Sequence, residues 1–188
     1  MAHERPPVEH GAAPAAEPRG ALAGAHGAEA RRGARGHPLL SRSPDRSRFK
    51  FSWNVRVGFS DTDAQGIVYY GRYLPYFDRA RVEYLRDRGM LGMDVGEEGH
   101  EFVMRALSVE YHAPAVFDDL IEVYIRMARI GRTSATYELE ASRVRDGVLL
   151  VTATQTLVLV DLAERKPMPI PDAYREAIRA FEGEALEA

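Results

Sequence analysis

Two aspartates and a glycine lie close together in the run Asp61-Thr62-Asp63-Ala64-Gln65-Gly66, between a predicted strand and a predicted helix. The start of a helix presents unpaired N–H groups and the positive end of its dipole, which can polarise a carbonyl group. A carboxylate at Asp63 can attack such a carbonyl or activate water beside it. Gly66 allows the backbone to approach a bound group closely. The pattern therefore indicates hydrolysis of an activated acyl group, although the same acids can also act only as caps of the turn.

The elements on either side of this loop follow from hydrophobic periodicity. Before the loop, apolar and polar residues alternate over residues 49–59, which is typical of a strand with one buried face. After the loop, apolar residues recur at helical spacing over residues 72–88. Pro75 has to lie in the first turn of this helix, so the helix begins near residues 71–72, and Gly89 is a natural stop.

The rest of the chain predicts an antiparallel sheet. Four further strand-like runs cover residues 102–111, 120–130, 134–144 and 148–161. Gly131-Arg132 and Asp146-Gly147 separate the last three runs as hairpin turns. A proline-rich loop at 166–171 precedes an amphipathic pattern over 172–184. This order predicts an α+β fold, in which an antiparallel five-stranded sheet wraps around one long central helix and a short helix follows at the C-terminus.

Residues 1–48 differ in composition from the rest of the 188-residue chain. They contain 11 Ala, 6 Gly, 6 Pro and no aromatic residue, with eight arginines against five acidic residues. Such a segment cannot bury enough apolar surface to offset the entropy of ordering it. We therefore expect a disordered low-complexity tail at 1–48 and a folded domain over 49–188. The tail lacks the apolar stretch of a secretory signal, and its acids count against a transit peptide.

Composition also narrows the classes of function. The chain has no cysteine, which excludes disulfides, a thiolate nucleophile and a zinc–thiolate site. Four of its six histidines precede position 38, so we expect no metal site in the folded part. The net charge of −3 argues against nucleic-acid binding through bulk charge, and no apolar run is long enough to insert into a membrane. We expect a cytoplasmic protein.

Several segments together resemble one known family. They are residues 57–73 (VGFSDTDAQGIVYYGRY), 77–86 (FDRARVEYLR), 109–115 (VEYHAPA), 118–119 (DD) and 131–134 (GRTS). These segments resemble the hotdog-fold acyl-CoA thioesterases of the 4-hydroxybenzoyl-CoA thioesterase family, and most closely the Tol–Pal-associated, YbgC-like subgroup. The match spans about residues 50–172, which is nearly the whole predicted domain.

The resemblance implies hydrolysis of acyl-CoA thioesters to a free carboxylic acid and CoA, without a metal or organic cofactor. It implies a catalytic carboxylate at Asp63, acting as nucleophile or general base. It also implies that the backbone N–H of Tyr70, at the helix N-terminus, polarises the thioester carbonyl while Gly66 keeps the loop tight against the acyl group. It further implies a homo-oligomer, often a tetramer, with each active site completed across a subunit interface.

Further residues are candidates for binding the substrate. Gln65 can contact it or cap the turn, and Tyr73 can line the acyl pocket or belong to the core. Arg105 lies in a strand, where it can bind a CoA phosphate or form a surface ion pair. Arg132-Thr133-Ser134 lie at a turn, where they can hold the phosphates or pantetheine of CoA or simply form the hairpin.

Other functions of the same fold compete with this one. A non-catalytic hotdog domain would bind acyl groups or a protein partner, but a carboxylate at Asp63 is not needed for that. A thioesterase acting on acyl carrier protein would use the same chemistry on a different carrier. A hydratase would need a histidine paired with an acid, and no histidine is near the loop in sequence; we expect His112 to be a surface residue.

Overall fold

A computed structural model describes residues 46–94 and 99–187 of the chain. Its strands are β1 (Phe51–Arg56), β2 (His100–Tyr111), β3 (Leu120–Ile130), β4 (Ser134–Arg143), β5 (Leu149–Asp161) and β6 (Lys166–Pro167). Its α-helices are α1 (Tyr73–Asp87), α2 (Leu91–Asp94) and α3 (Asp172–Glu182). A 3₁₀ turn over Tyr70–Arg72 leads directly into α1.

The strands form one antiparallel sheet in the order β1-β3-β4-β5-β2, and β6 pairs with the end of β5. The predicted hairpins join β3 to β4 and β4 to β5, so these three strands form a meander. In the second turn Gly147 has a φ of +69°, which favours glycine. β1 and β2 are the outer strands, and β2 carries a bulge between Met104 and Ala106.

Helix α1 fills the concave side of this sheet, as its wide apolar face predicts. It packs against β1 and β3. The side chains that it buries are Tyr73, Tyr76, Phe77, Ala80, Tyr84 and Leu85. These residues join one hydrophobic cluster with the inward side chains of β3, β4 and β5. Burial of this face removes large apolar surfaces from water, which is the main stabilising contribution to such a fold. The start of α1, and with it the preceding turn, is thereby fixed against the sheet.

The C-terminal helix is attached to α1 through a buried carboxylate. Glu182, at the end of α3, is 1% exposed. Its Oε1 accepts hydrogen bonds from the Tyr84 hydroxyl at 2.5 Å and from the Met127 N–H at 2.9 Å. The Arg88 guanidinium lies 3.8 Å from the ring centroid of Tyr84 and 3.4 Å from that of Phe181. Because buried polar groups need partners, these contacts hold α3 in one position.

The structure adds detail at the ends of the predicted elements. The regular part of the first strand is shorter than the predicted 49–59, because Val57 already bonds to Asp119 rather than to β3. The proline-rich segment expected to be a loop contains the two-residue strand β6. The four-residue helix α2 was also not predicted. The five main strands and the two longer helices were predicted.

The described part of the chain begins at Arg46, three residues before the predicted domain boundary. The Arg46 guanidinium lies 4.4 Å from the ring centroid of Tyr124, and Arg48 forms an ion pair of 3.4 Å with Glu138. The last residues of the predicted tail thus lie against the sheet. The disorder expected for residues 1–45 lies outside the described residues and stays a prediction. No helix in the described part is both long and apolar enough to span a membrane.

Candidate active site

The loop between β1 and α1 forms a compact turn around Asp63. The Asp63 N–H donates to the carbonyl of Ile67 at 2.9 Å, and the Gly66 N–H donates to the carbonyl of Asp63 at 2.9 Å. Gly66 adopts a φ of +75°, a conformation that side-chain-bearing residues rarely take. Thr62 and Val68 face each other across the loop in an isolated bridge. The turn therefore presents residues 63–66 at its tip.

Asp61 anchors this loop to α1. Its Oδ2 accepts hydrogen bonds from the Gly58 N–H at 2.8 Å and from the Tyr76 hydroxyl at 2.7 Å. Its Oδ1 lies 3.5 Å from Nε of Arg72, and its carbonyl accepts from the Tyr69 N–H at 2.9 Å. Both the carboxylate and the backbone of Asp61 are thus used in holding the loop against the helix start.

The Asp63 carboxylate has a different environment. Its Oδ1 accepts a hydrogen bond from the Gln65 N–H at 2.8 Å, and the side chain is half-buried. Among the residues that the structure describes, Oδ2 has no hydrogen-bond donor within range. The helix start has no side-chain cap either at Tyr69 or at Arg72. Asp63 therefore caps its own turn through Oδ1, as the alternative predicts, but it does not cap the helix start, and its Oδ2 has no donor among the described residues.

The start of the helix leaves backbone donors open. Within the described part of the chain, the N–H groups of Tyr70 and Gly71 have no hydrogen-bond acceptor. A Cβ added at Gly71 would lie 2.8 Å from Cε1 of Tyr69, so a larger residue there would require the Tyr69 ring to move. Unpaired N–H groups at the positive end of a helix are suited to bind an oxygen that gains negative charge.

These groups line a single cleft of about 610 Å³. Its lining residues are Asp63, Gln65, Ile67, Val68, Tyr69, Tyr70, Tyr73, Tyr111, His112, Ala113 and Pro114. Most of the wall is formed by aromatic and aliphatic side chains, and the polar groups are concentrated at the loop. A mostly apolar cleft with a few converging polar groups is the usual form of a small-molecule site.

The tyrosines of the cleft do not act as bases near neutral pH. Burial raises the pKa of Tyr73 to about 12, and burial likewise raises the pKa of Tyr111. The hydrogen bond with Tyr70 raises the pKa of Tyr69. These three phenols therefore stay protonated near neutral pH. Among residues 46–94 and 99–187, no group of three or more His, Cys, Asp or Glu side chains is placed to hold a metal ion.

The structure brings some of the predicted site residues together and leaves others apart. Asp63, Gln65, Tyr70 and Tyr73 line the cleft, and Gly66 forms its loop. Arg105 is exposed at the bulge of the outer strand β2, away from the cleft lining.

The predicted turn Arg132-Thr133-Ser134 lies at the β3–β4 hairpin and outside the cleft of its own chain. Thr133 accepts a hydrogen bond from the Leu159 N–H, and the Arg132 carbonyl accepts from Ile170 and from Arg175. These contacts attach the hairpin to β5, to the segment before α3 and to α3 itself. Within a single chain, therefore, the turn stabilises the hairpin and does not line the cleft.

Seven of the eleven residues that line the cleft were not among the predicted site residues. Two of the seven, Tyr111 at the end of β2 and His112 directly after it, meet the loop only because the sheet folds around α1. His112 is exposed, as predicted. It also lines the cleft, so a histidine does lie near the loop in the folded chain, although none is near it in sequence. Its Nε2 lies 2.9 Å from Oγ1 of Thr152, which directs the ring nitrogen toward β5. The segment 109–115 was a signal in sequence, but nothing local placed it beside residues 61–66.

Comparisons with known proteins point to one family. The family model described as thioesterase-like superfamily matches residues 57–178. A relative from Haemophilus influenzae, named acyl-CoA thioesterase YbgC, is 38% identical over 128 residues, which are 68% of this chain and 93% of the relative.

Solved structures agree with the fold. A probable thioesterase from Bartonella henselae is 33% identical with a TM-score of 0.57, covering 64% of this chain and 98% of that one. A 1,4-dihydroxy-2-naphthoyl-CoA thioesterase from Synechocystis, at 24% identity and a TM-score of 0.65, covers 70% of this chain and 97% of its own. The second similarity concerns the fold alone, and with the topology above it confirms the predicted hotdog fold.

Proposed function

Because the chain belongs to the thioesterase-like superfamily, we propose that it hydrolyses acyl-CoA thioesters to a carboxylic acid and CoA. Its relative from Haemophilus influenzae, which it covers over 93% of that protein's length, is named an acyl-CoA thioesterase. The residues matched by the family model include the whole loop, α1 and the end of β2. The cleft thus falls within the segment that this chain shares with the family.

The observation that carries the proposal is the pairing of an open carboxylate with open backbone donors in one cleft. Asp63 keeps one oxygen free, and the Tyr70 N–H has no acceptor among the described residues. A thioester carbonyl bound between them would direct its oxygen at the Tyr70 N–H, while Asp63 attacks the carbonyl carbon or removes a proton from the attacking water.

The reaction balances with water alone. The C–S bond of the thioester breaks, the acyl carbon gains an oxygen that comes from water, and the CoA thiolate leaves and takes a proton. Asp63 is recovered as a carboxylate at the end of either route. Gln65 lies at the edge of the cleft, and the ring of Tyr73, which is 2% exposed, closes its inner wall. We assign Gln65 and Tyr73 to substrate binding.

The first experiment measures thiol release from short, long and aromatic acyl-CoAs by the wild type and by Asp63→Asn. We expect the variant to lose at least ~10²-fold in kcat, the scale of a positioned acid–base group. Asp78→Asn is the matched control, since Asp78 is an exposed residue of α1 paired with Arg81. Its activity should equal that of the wild type.

The other outcomes separate the alternatives. Turnover that survives Asp63→Asn would place the catalytic group elsewhere. A wild type that is inactive on every CoA ester but active on acyl-loaded acyl carrier protein would indicate that the substrate is carried by that protein and not by CoA. A wild type that binds acyl-CoA without turnover would favour a non-catalytic acyl-binding domain.

We further propose that the chain acts as a homo-oligomer, a tetramer on the resemblance to the family. The outer strand β2 supports an assembly, since Met104, Leu107 and Tyr111 on it are 49%, 40% and 49% exposed. In such an assembly Arg105 and the turn 132–134 of one subunit could meet CoA bound at another, which the isolated chain does not allow. A cytoplasmic location also stays a prediction.

A further inference from the structure

We propose that Tyr111 is a positioning residue for the reaction, because its hydroxyl holds the main chain of Tyr70, the residue assigned as donor to the thioester oxygen. This inference rests on the proposed function. Neither composition nor motif spacing singled out Tyr111, which reaches the loop only through the fold of the sheet.

The contact joins two distant parts of the chain. The Tyr111 hydroxyl donates to the carbonyl of Tyr70 at 3.0 Å, across 41 residues of sequence. The peptide unit before Tyr70, which carries the donor N–H, is tied separately, since the Tyr69 carbonyl accepts from the Arg72 N–H at 2.8 Å. The peptide units on both sides of Tyr70 are therefore fixed, one within the turn and the other by β2. A donor that is held in place before the reaction costs no reorganisation when the oxygen gains charge.

The ring of Tyr111 adds to this restraint. Its centroid lies 6.4 Å from that of Tyr70 at an interplanar angle of 82°, and 6.0 Å from that of Tyr73 at 67°. Edge-to-face pairs of this kind are favourable beyond the surface that they bury. The ring thus holds the side chain of Tyr70 while the hydroxyl holds its backbone. A change to phenylalanine separates the two effects, because it removes only the hydroxyl.

The end of β2 is itself well anchored, so that it can serve as a fixed point. The N–H groups of His112 and Ala113 both donate to the carbonyl of Leu150, at 2.8 and 3.2 Å. Tyr111 pairs with Val151 in the register of β2 and β5. The hydroxyl therefore transmits the position of the sheet to the start of α1. Without it, the turn over Tyr70–Arg72 would keep its links to Asp61 but lose its link to the sheet.

The test compares Tyr111→Phe with the wild type on the best acyl-CoA of the panel. We expect kcat to fall about tenfold, less than the ~10²-fold or more that follows removal of an oxyanion donor itself. KM should stay within about twofold, because a contact that matters mainly in the transition state changes kcat rather than binding. Tyr124→Phe is the control, since Tyr124 lies away from the cleft and bonds to Glu122. Its kcat should not change.

A binding measurement separates positioning from a structural role. A phosphonate analogue, with a tetrahedral phosphonate in place of the thioester group, places an anionic oxygen where the transition state gains its charge. A ketone analogue, with CH₂ in place of the thioester sulfur, keeps the neutral carbonyl of the substrate but is not hydrolysed. Tyr111→Phe should weaken the phosphonate analogue several-fold and leave the Kd of the ketone analogue within about twofold, as expected for KM. Equal weakening of both analogues, an unchanged kcat, or a raised KM at unchanged kcat would overturn the inference.

Failure of the proposed function would look different. In that case the wild type itself would release no thiol from any acyl-CoA, and the inference about Tyr111 would fall with it. If the wild type is active and only the Tyr111→Phe result disagrees, the proposed function stands and this inference alone is wrong.

Discussion

At the residue scale, the two aspartates of the loop have separate roles. Asp61 accepts hydrogen bonds from Gly58 and Tyr76 and forms an ion pair with Arg72, whereas the Asp63 carboxylate has one hydrogen-bond partner among the described residues, the Gln65 N–H. Both are acids two positions apart, and their types alone do not distinguish them. The difference arises because the chain folds back so that α1 meets the first aspartate and the cleft meets the second.

Because of this difference, replacement by asparagine should lower the free energy of unfolding at one aspartate and leave it nearly unchanged at the other. Asp61→Asn places an amide where one oxygen now accepts two hydrogen bonds, and it should lower the free energy of unfolding by about 1–3 kcal/mol, the cost of unsatisfied buried partners. Asp63→Asn should leave the free energy of unfolding within about 0.5 kcal/mol, as at most sites without such partners. Urea denaturation of the two variants checks this. Equal stability losses would contradict the separation of roles.

The sequence indicated the loop of the candidate site better than it indicated the walls of the cleft. The residues 61–66 are contiguous, so a carboxylate, a glycine and a helix start were visible together. Tyr111 and His112 come from β2, and their approach to the loop depends on the sheet closing around α1. Arg132 lies outside the cleft of its own chain, where its carbonyl accepts from Ile170 and Arg175, so its predicted role in binding the substrate stays a prediction.

At the element scale, α1 carries tyrosines that face the interior. Tyr73, Tyr76 and Tyr84 are all buried, and burial is the first cause that raises the pKa of each one. The hydroxyls of Tyr76 and Tyr84 donate to the carboxylates of Asp61 and Glu182, and both bonds need the proton. The periodicity of α1 predicted a buried face, but it did not reveal that three phenols would share it.

A pH dependence of stability follows from these tyrosines. The pKa of Tyr73 is raised to about 12, against ~10 in an unfolded chain. Between about pH 10 and 12, Tyr73 therefore keeps its proton in the folded state and loses it in the unfolded state. The free energy of unfolding has its full value below about pH 10 and falls as the pH rises toward 12. The slope is at most about 1.4 kcal/mol per pH unit for each such group.

Urea denaturation at pH 8, 9, 10 and 11 measures this loss. Tyr73→Phe should reduce the slope above pH 10, because one titrating group is removed. Stability that stays constant up to pH 11 would show that the phenols ionise alike in the folded and unfolded states.

At the scale of the whole molecule, the two outer strands of the sheet differ in length and in the apolar surface that they expose. β1 is short, whereas β2 is a twelve-residue outer strand with Met104, Leu107 and Tyr111 exposed on it. Exposed apolar outer strands are usually covered by a partner, since they otherwise promote uncontrolled association. The order of strands could be predicted in part from the hairpin turns, but the outer position of β2 depends on pairing with β5, which only the fold decides.

A charged residue introduced on β2 should weaken assembly without disturbing the fold of the single chain. Leu107→Lys should reduce the mass of the particle, measured by light scattering, because a lysine would be buried at the proposed interface. It should leave the fold intact, since Leu107 is 40% exposed in the single chain. Ala163→Lys, in the exposed turn after β5, is the matched control. An unchanged mass for Leu107→Lys would place the interface elsewhere.

The position of β5 has a consequence for the rates at which backbone protons exchange with solvent. β5 lies between β4 and β2, so its amides are bonded on both sides, and we expect them to be among the slowest to exchange deuterium. β2 is bonded on one side only, so alternate amides along it face outward and should exchange quickly in an isolated chain. The ratio of deuterium uptake in β2 to that in β5 therefore reports whether the outer strand is covered, without any substrate and at any protein concentration that mass spectrometry can reach.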